Sequence, residues 1–439
     1  MHRHEHSANT TCGAANARRL KFPENFLWGT ATAPTQVEGH VDNEWTDFIA
    51  QDGGDCRIAC DHYHRYPEDI EWMSRLGVNS YRFGIEWSRL QSAAFAPLNQ
   101  HELARYLDVL DRLRAAGITP MVVLHHFSNP PWIHSGGGWL NPQTVAAFVD
   151  YVGKLVAALK ERVQLWNTFN EPDTYAALAY VLGAYPPRRK WQLGQFRQII
   201  HHMARAHEQA SRIILRDGVA TRDPQVGIAK NWTFFHAYRR FSPWDRLTAS
   251  LCHYTFNKFV LDAFLGGGRR QASTFIGLNY YGRVRFHHFS AMIPAGGAPV
   301  KRLQDFGFVC DDMMERYPEG LGKILAYFNL RLRLPIYITE HGAASADEQF
   351  RERDLLNYLA VLGGAIARGA DVRGFYYWSL VDNFEWQFGY SKKFGLLSVD
   401  FSDKALPRAM KPLGEIYRQV CRENSIRLSS PDIHSPRPG

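Results

Sequence analysis

The sequence predicts an α/β chain folded as a single-domain (β/α)8 TIM barrel, and three observations carry the prediction. Eight short apolar stretches alternate with amphipathic stretches over most of the 439 residues, the rhythm of a parallel sheet joined by helices. No strand end opens into Gly-x-Gly-x-x-Gly, which argues against a doubly wound dinucleotide-binding sheet. No linker long enough to divide the chain interrupts the pattern, and barrels with loop insertions often reach this length.

The strands are expected at 26–31, 80–86, 119–127, 165–170, 225–229, 275–280, 335–339 and 373–379. Between them, residues 101–116 place Leu103, Tyr106, Leu107, Leu110 and Leu113 on one helical face, with Gly117 closing the helix. Over 142–160, Asn141 can cap and Pro142 suits the first helical position. Val145, Phe148, Val149, Val152, Val156 and Leu159 form the apolar stripe there. Residues 351–368 repeat the pattern, with Gly369 beyond the end. Residues 1–20 read as a disordered leader, 21–422 as the barrel and 423–439 as a loose, polar tail.

Composition narrows the function classes. The chain is 45% apolar, enough for a large core, yet no run of eighteen apolar residues exists to span a membrane. The first twenty residues lack the apolar centre of a secretory signal. The net charge of +8 is spread along the chain without a dense basic block, so no nucleic-acid partner is expected. Six cysteines fit reduced thiols in a cytoplasmic protein. Cys56-x3-Cys60 followed by His62 and His64 is not a standard zinc spacing, so neither metal nor cofactor is expected.

Two segments stand apart. In Leu165-Trp166-Asn167-Thr168-Phe169-Asn170-Glu171-Pro172 an apolar strand delivers a carboxylate at its C-terminal end, and Leu334-Pro335-Ile336-Tyr337-Ile338-Thr339-Glu340-His341-Gly342 has the same build. Carboxylates are rarely buried without a task. In a barrel both would point into one pocket at the C-terminal face, and paired carboxylates are what glycoside cleavage needs.

The segments Thr168–Pro172 and Ile338–Gly342 resemble the two signature motifs of family 1 glycoside hydrolases, the β-glucosidase family. The likeness runs from about Phe22 to about Val420. It includes Phe26–Ala33 with Gln36, Asp61–Tyr66, Gly277–Tyr281 and Trp378–Trp386. The resemblance implies a retaining β-glucosidase with β-galactosidase and β-fucosidase side activity, acting on a small β-glycoside or oligosaccharide. Glu171 would be the acid/base and Glu340 the nucleophile that carries a glycosyl intermediate, with transglycosylation possible. Retention requires the two carboxyl groups to lie about 5 Å apart. Arg82, ending the second strand, would hold Glu340 ionised by its charge, and Tyr281 could donate to it.

Gln36, His126, Asn170 and Glu385 match family positions that bind the sugar hydroxyls, and Asn279 and Phe394 match further pocket positions. Trp378 and Trp386 would offer aromatic faces to the sugar, although Trp378 reads equally well as barrel core. Three departures from the family accompany these matches. Phe127-Ser128 replaces Trp-Asp, which removes an indole N–H donor and should relax glycon selectivity. His341 replaces Asn after the nucleophile, a change that bears on pH behaviour. Met314 stands where many members carry a Trp that platforms the leaving group, and it reads equally as a space-filler. Two other readings compete: a catalytically silent sugar-binding barrel, which would have lost the carboxylates, and a phospho-sugar hydrolase, which Glu385 would oppose.

Overall fold

The computed structural model describes residues 18–219, 223–266, 272–292 and 308–428. Eight strands form a closed barrel: β1 (Leu27–Ala31), β2 (Ser80–Gly84), β3 (Thr119–Val123), β4 (Leu165–Asn170), β5 (Gln225–Asn231), β6 (Ile276–Asn279), β7 (Ile336–His341) and β8 (Val372–Trp378). Each pairs parallel with its sequence neighbour, and β8 returns to β1. Strands covered on the outside by helices and filled on the inside by side chains are buried on both faces. That is why they read as apolar runs rather than as alternating patterns.

The helices form where capping and periodicity placed them. Asn99 accepts from the backbone of His101 and Glu102 to start the helix Gln100–Ala115. Gly117, at φ +71°, takes the left-handed turn that ends it. Asn141 Oδ1 accepts from Gln143 N at 3.0 Å and so caps Gln143–Leu159, with Pro142 just ahead of the first turn. The third helix, Glu348–Ala367, starts three residues earlier than its stripe suggests because Asp347 caps it through Phe350 N.

Four strand ends differ from expectation by two residues or more, all at the barrel's C-terminal rim, and β2 stops at Gly84 rather than 86. β3 stops at Val123 rather than 127, and Phe127 lies in a turn at φ +64°. β5 runs on to Asn231 and β7 to His341. Neighbouring strands supply the pairing that polar sequence does not announce: Asn231 and Glu340 both face Asn279, and His341 faces Tyr377. The boundaries of leader and tail also shift. Arg18–Lys21 pairs antiparallel with Ser425–Leu428, so the end of the expected leader and the start of the expected loose tail form a two-stranded sheet. Residues 1–17, Cys12 included, and 429–439 lie outside the described residues. No described helix is long and apolar enough to cross a membrane.

Candidate active site

Glu171 and Glu340 are both buried at the rim, delivered by β4 and β7. Glu171 holds the left-handed conformation, φ 39° and ψ 61°, between the strand and the helix Pro172–Tyr180. For a residue with a side chain such backbone geometry is costly and persists where the surroundings enforce it. Here Glu171 N donates to Ala229 O at 2.8 Å, and Pro172 fixes the next turn. After β7 the chain needs glycine, since a Cβ on Gly342 would lie 2.1 Å from the Trp378 carbonyl oxygen.

The two carboxylates have different partners. Arg82 Nη1 donates to Glu340 Oε1 at 2.6 Å, and Tyr281 OH donates to Oε2 at 2.7 Å. Glu171 meets only neutral amides: Asn279 Nδ2 on Oε1 at 2.7 Å and Asn231 Nδ2 on Oε2 at 3.0 Å. One network joins them. Asn170 Oδ1 accepts from Arg82 Nη2 at 2.6 Å and from Asn279 Nδ2 at 3.0 Å, while Asn170 Nδ2 donates to His126 Nε2 at 2.9 Å. Thr339 Oγ1 orients Asn279 by donating to its Oδ1 at 2.6 Å. Burial pushes Glu340 up to about 7, and the charge of Glu171 adds to the rise. Arg82 and Tyr281 oppose both effects.

A second polar group sits beyond β8 and at the loop after β1. Gln36 Nε2 donates to Asn383 Oδ1, to the Phe384 carbonyl and to Glu385 Oε2 at 2.8–3.1 Å. Its Oε1 is buried with no partner, as is His126 Nδ1. Buried polar atoms normally find partners, so these two mark where a polar ligand would complete the set. Burial deprives His126 of its charged form, and Arg82 works in the same direction. The rings of Trp378 and Trp386 lie 5.9 and 6.1 Å from that of His126. Phe394 packs edge-on against Tyr281, 6.1 Å between centroids.

Burial also pushes Glu385 up to about 8, against the hydrogen bonds from Gln36 and Trp378. Folded-state values above the ordinary carboxylate range have a definite sign for stability. The contribution is complete below about pH 4 and is lost as pH rises through about 7 to about 8. Substrate-free protein should therefore weaken between about pH 5 and about pH 8, and Glu385→Gln should remove part of that loss, on the order of 2 kcal/mol. Urea melts at the two pH values check this; an unchanged slope in the variant contradicts it.

The three departures have structural settings. Phe127 is buried against Trp386 and Tyr185, 5.2 and 5.6 Å between centroids, and presents no polar atom there. Ser128 Oγ donates away from the pocket, to Glu86 Oε2 at 2.8 Å. His341 points to the opposite side of β7 from Glu340, as alternation requires. It packs tilted against Tyr358, 4.0 Å between centroids, and donates through Nδ1 to the Tyr280 carbonyl at 2.8 Å. Burial lowers its proton affinity, and the Asp354 carboxylate, 3.6 Å from Nε2, opposes that effect. Met314 is half-buried, and a Cβ on Gly282 would lie 3.3 Å from its Sδ. Its sulfur therefore rests over the residue that follows Tyr281.

Asn231 and Thr339 were not singled out from sequence. Asn231 escaped because β5 was expected to end at Ala229; Thr339 is a strand threonine like many others. In the segment from Cys56 to His64, Cys60 Sγ donates to the Asp382 carbonyl and His62 pairs with Asp69 at 2.7 Å. Among the described residues His40, Asp61 and His64 lie close enough to share an ion. Asp61 Oδ1 already engages both imidazoles there, at 3.1 and 2.6 Å.

A barrel that presents two carboxylates in one amide- and aromatic-lined pocket at its C-terminal rim defines a glycoside-cleaving enzyme. The sequence profile described as glycosyl hydrolase family 1 matches residues 18–273 and 269–426. The chain is 32% identical to β-glucosidase A of Thermotoga maritima, over 92% of this chain and 99% of that one. It is 30% identical to β-glucosidase A of Acetivibrio thermocellus, over 93% and 100%. Among solved structures, the Thermotoga maritima β-glucosidase in complex with glucoimidazole superposes with a TM-score of 0.82 at 29% identity, covering 93% of this chain and all of that one. The chain belongs to glycosyl hydrolase family 1 and is an enzyme of the β-glucosidase kind.

Proposed function

We propose that the protein hydrolyses terminal non-reducing β-D-glucosyl residues by double displacement. Glu340 attacks the anomeric carbon while Glu171 gives its proton to the departing glycosidic oxygen. A water then attacks the same carbon, passes its proton to Glu171, and the bond to Glu340 breaks with release of the β-sugar. The observation that carries this reading is the unequal setting of the pair. Glu340 alone meets a fixed cation, Arg82, whereas Glu171 meets neutral amides. Negative charge thus belongs on Glu340 and the transferable proton on Glu171. Proton NMR of the first-formed sugar tests it: β-glucose is expected, and initial α-glucose from a β-glucoside overturns it.

Gln36, His126, Asn170, Asn279 and Glu385 hold the sugar hydroxyls in this reading, with Trp378, Trp386 and Phe394 as its apolar walls. Phe127 supplies no donor, so β-galactosides and β-fucosides should be accepted within the modest ratio that one hydrogen bond sets, about 0.5–1.5 kcal/mol. Glu385 supplies no cationic partner for a 6-phosphate, and faster cleavage of a 6-phosphoglucoside than of the plain glucoside would reverse its assignment. The silent sugar-binding reading has no support in a site that keeps both carboxylates. Free thiols at Cys56, Cys60, Cys252, Cys310 and Cys421 accord with a cytoplasmic setting.

Met314 faces the leaving group in this scheme. A flexible thioether adapts to many shapes and specifies none, so alkyl, aryl and sugar aglycones should react at similar rates, and sugars should also capture the glycosyl intermediate. Met314→Trp should favour aglycones that stack, by roughly 0.5–1.5 kcal/mol. The check is kcat/KM for cellobiose, an alkyl glucoside and an aryl glucoside; unchanged ratios would make Met314 a space-filler.

A further inference from the structure

The helix Pro243–Cys252 belongs to a small unit set apart from the main core. Phe234–Ala237, Arg283–His287 and Ser290–Met292 form a three-stranded sheet beyond the ends of β5 and β6, and the helix lies on it. Ala249 and Cys252 on its inner face pack with Phe235, Val284 and Phe286 in a cluster separate from that of the barrel. The outer face is not polar, as that of a surface helix usually is. Trp244, Leu247, Leu251 and Tyr254 recur at three- and four-residue intervals and are all exposed. Phe241 precedes them, and Phe289 approaches Trp244 at 5.9 Å between ring centroids. These six side chains are 47% to 86% exposed, and a contiguous apolar surface of that kind marks a site of interaction.

Charge of one sign surrounds the stripe. Residues 239–258 hold Arg239, Arg240, Arg246 and Lys258 against a single carboxylate, Asp245. That carboxylate is buried and taken up by Arg239, whose Nη2 donates to Oδ1 at 2.8 Å. Arg240, Arg246 and Lys258 are exposed and make no ion pair among the described residues. The Arg240 guanidinium lies 5.6 Å from the Phe241 ring. Arg246 adjoins Leu247 on the helix, and Lys258 follows Tyr254 by four positions, so cations and apolar groups share one surface. A second copy of this chain on the same face would bring like charges together and leave them unpaired. An anionic lipid surface answers both features, with phosphate charge at the level of the cations and acyl chains beneath it. A short helix that is apolar on one side and ringed by basic residues lies in the plane of such an interface and does not cross it. Aromatic side chains favour the same level.

We propose that the protein docks on anionic lipid surfaces through the helix Pro243–Cys252. The six apolar side chains enter the headgroup region, and Arg240, Arg246 and Lys258 meet the lipid phosphates. The unit follows the C-terminal ends of β5 and β6, so the docked face lies at the end of the barrel that carries Glu171 and Glu340. Docking is separate from bond cleavage, because none of these residues belongs to the pocket.

The test is co-sedimentation of the full chain with phosphatidylcholine vesicles, prepared with and without phosphatidylserine. The protein should pellet with the phosphatidylserine vesicles and stay in solution with phosphatidylcholine alone. Added salt should release it, because exposed charges are screened by salt. Arg246→Gln should weaken binding about five-fold, the usual contribution of one basic side chain at such a surface. Trp244→Ser combined with Leu247→Ser should weaken it at least about ten-fold, since apolar area no longer enters the headgroup region. Both variants should keep the wild-type kcat/KM for a soluble aryl β-glucoside, which shows that they fold. If the double variant does not fold, the response of Arg246→Gln decides. No pelleting, equal pelleting with both kinds of vesicle, or folded variants that pellet as the wild type does overturns the proposal. Sedimentation velocity without lipid tests the other occupant. A dimer that the double variant dissociates would make the stripe a contact between copies, which also overturns it.

Discussion

Replacing Glu340 by alanine should lower kcat/KM for an aryl β-glucoside by roughly 10⁴–10⁶-fold, the usual cost of removing a nucleophile. Arg82 keeps its contact with Asn170 but loses its counter-charge while buried, so a stability loss of about 3–5 kcal/mol should accompany the loss of rate. Arg82 and Tyr281 would then line an anion-sized space on the face the nucleophile left. Added azide or formate should enter there and restore part of the rate. Azide attacking from that face should give the α-glycosyl azide, a single displacement with inversion. A variant that keeps more than about a hundredth of the wild-type rate, or that yields the β-azide, places the nucleophile elsewhere.

Glu171→Ala should show a different signature, since it removes only the proton donor and later base. General acid–base catalysis contributes about 10²–10⁴-fold, and the loss should follow the leaving group. Glycosides of poor leaving groups, such as alkyl glucosides and cellobiose, should lose most of that factor. A dinitrophenyl glucoside departs without protonation, so its first step should be nearly normal and the intermediate on Glu340 should accumulate. Azide should now attack from the vacated Glu171 side and give the β-glycosyl azide. Equal losses across leaving groups contradict the assignment. Opposite azide stereochemistry in the two variants would separate the roles of two residues that a simple loss of activity cannot.

Much of this protein is legible in its sequence because the strong signals are local. Hydrophobic period and length mark eight buried strands, and Asn141 and Gly117 act on their own helix ends through hydrogen bonds a few residues long. The motifs around Glu171 and Glu340 are likewise local, each a strand that ends in a carboxylate, and the barrel topology then carries both to one rim.

Contacts distant in sequence were decided only by the tertiary structure. β5 and β7 run past their apolar residues because β6 offers pairing partners more than forty positions away, and that extension brings Asn231 onto Glu171. The short strand ahead of β1 exists because Ser425–Leu428 pairs with it from the other end of the chain. Tertiary packing also decided direction. His341 follows Glu340 in sequence yet faces Tyr358 and Asp354 on the helix Glu348–Ala367. Asp173 and Lys230 are two unremarkable charges in sequence; a shared burial beside Glu171 makes them a pair. Sequence fixes which groups are available, while their charge balance depends on the distances and burial that only the closed barrel sets.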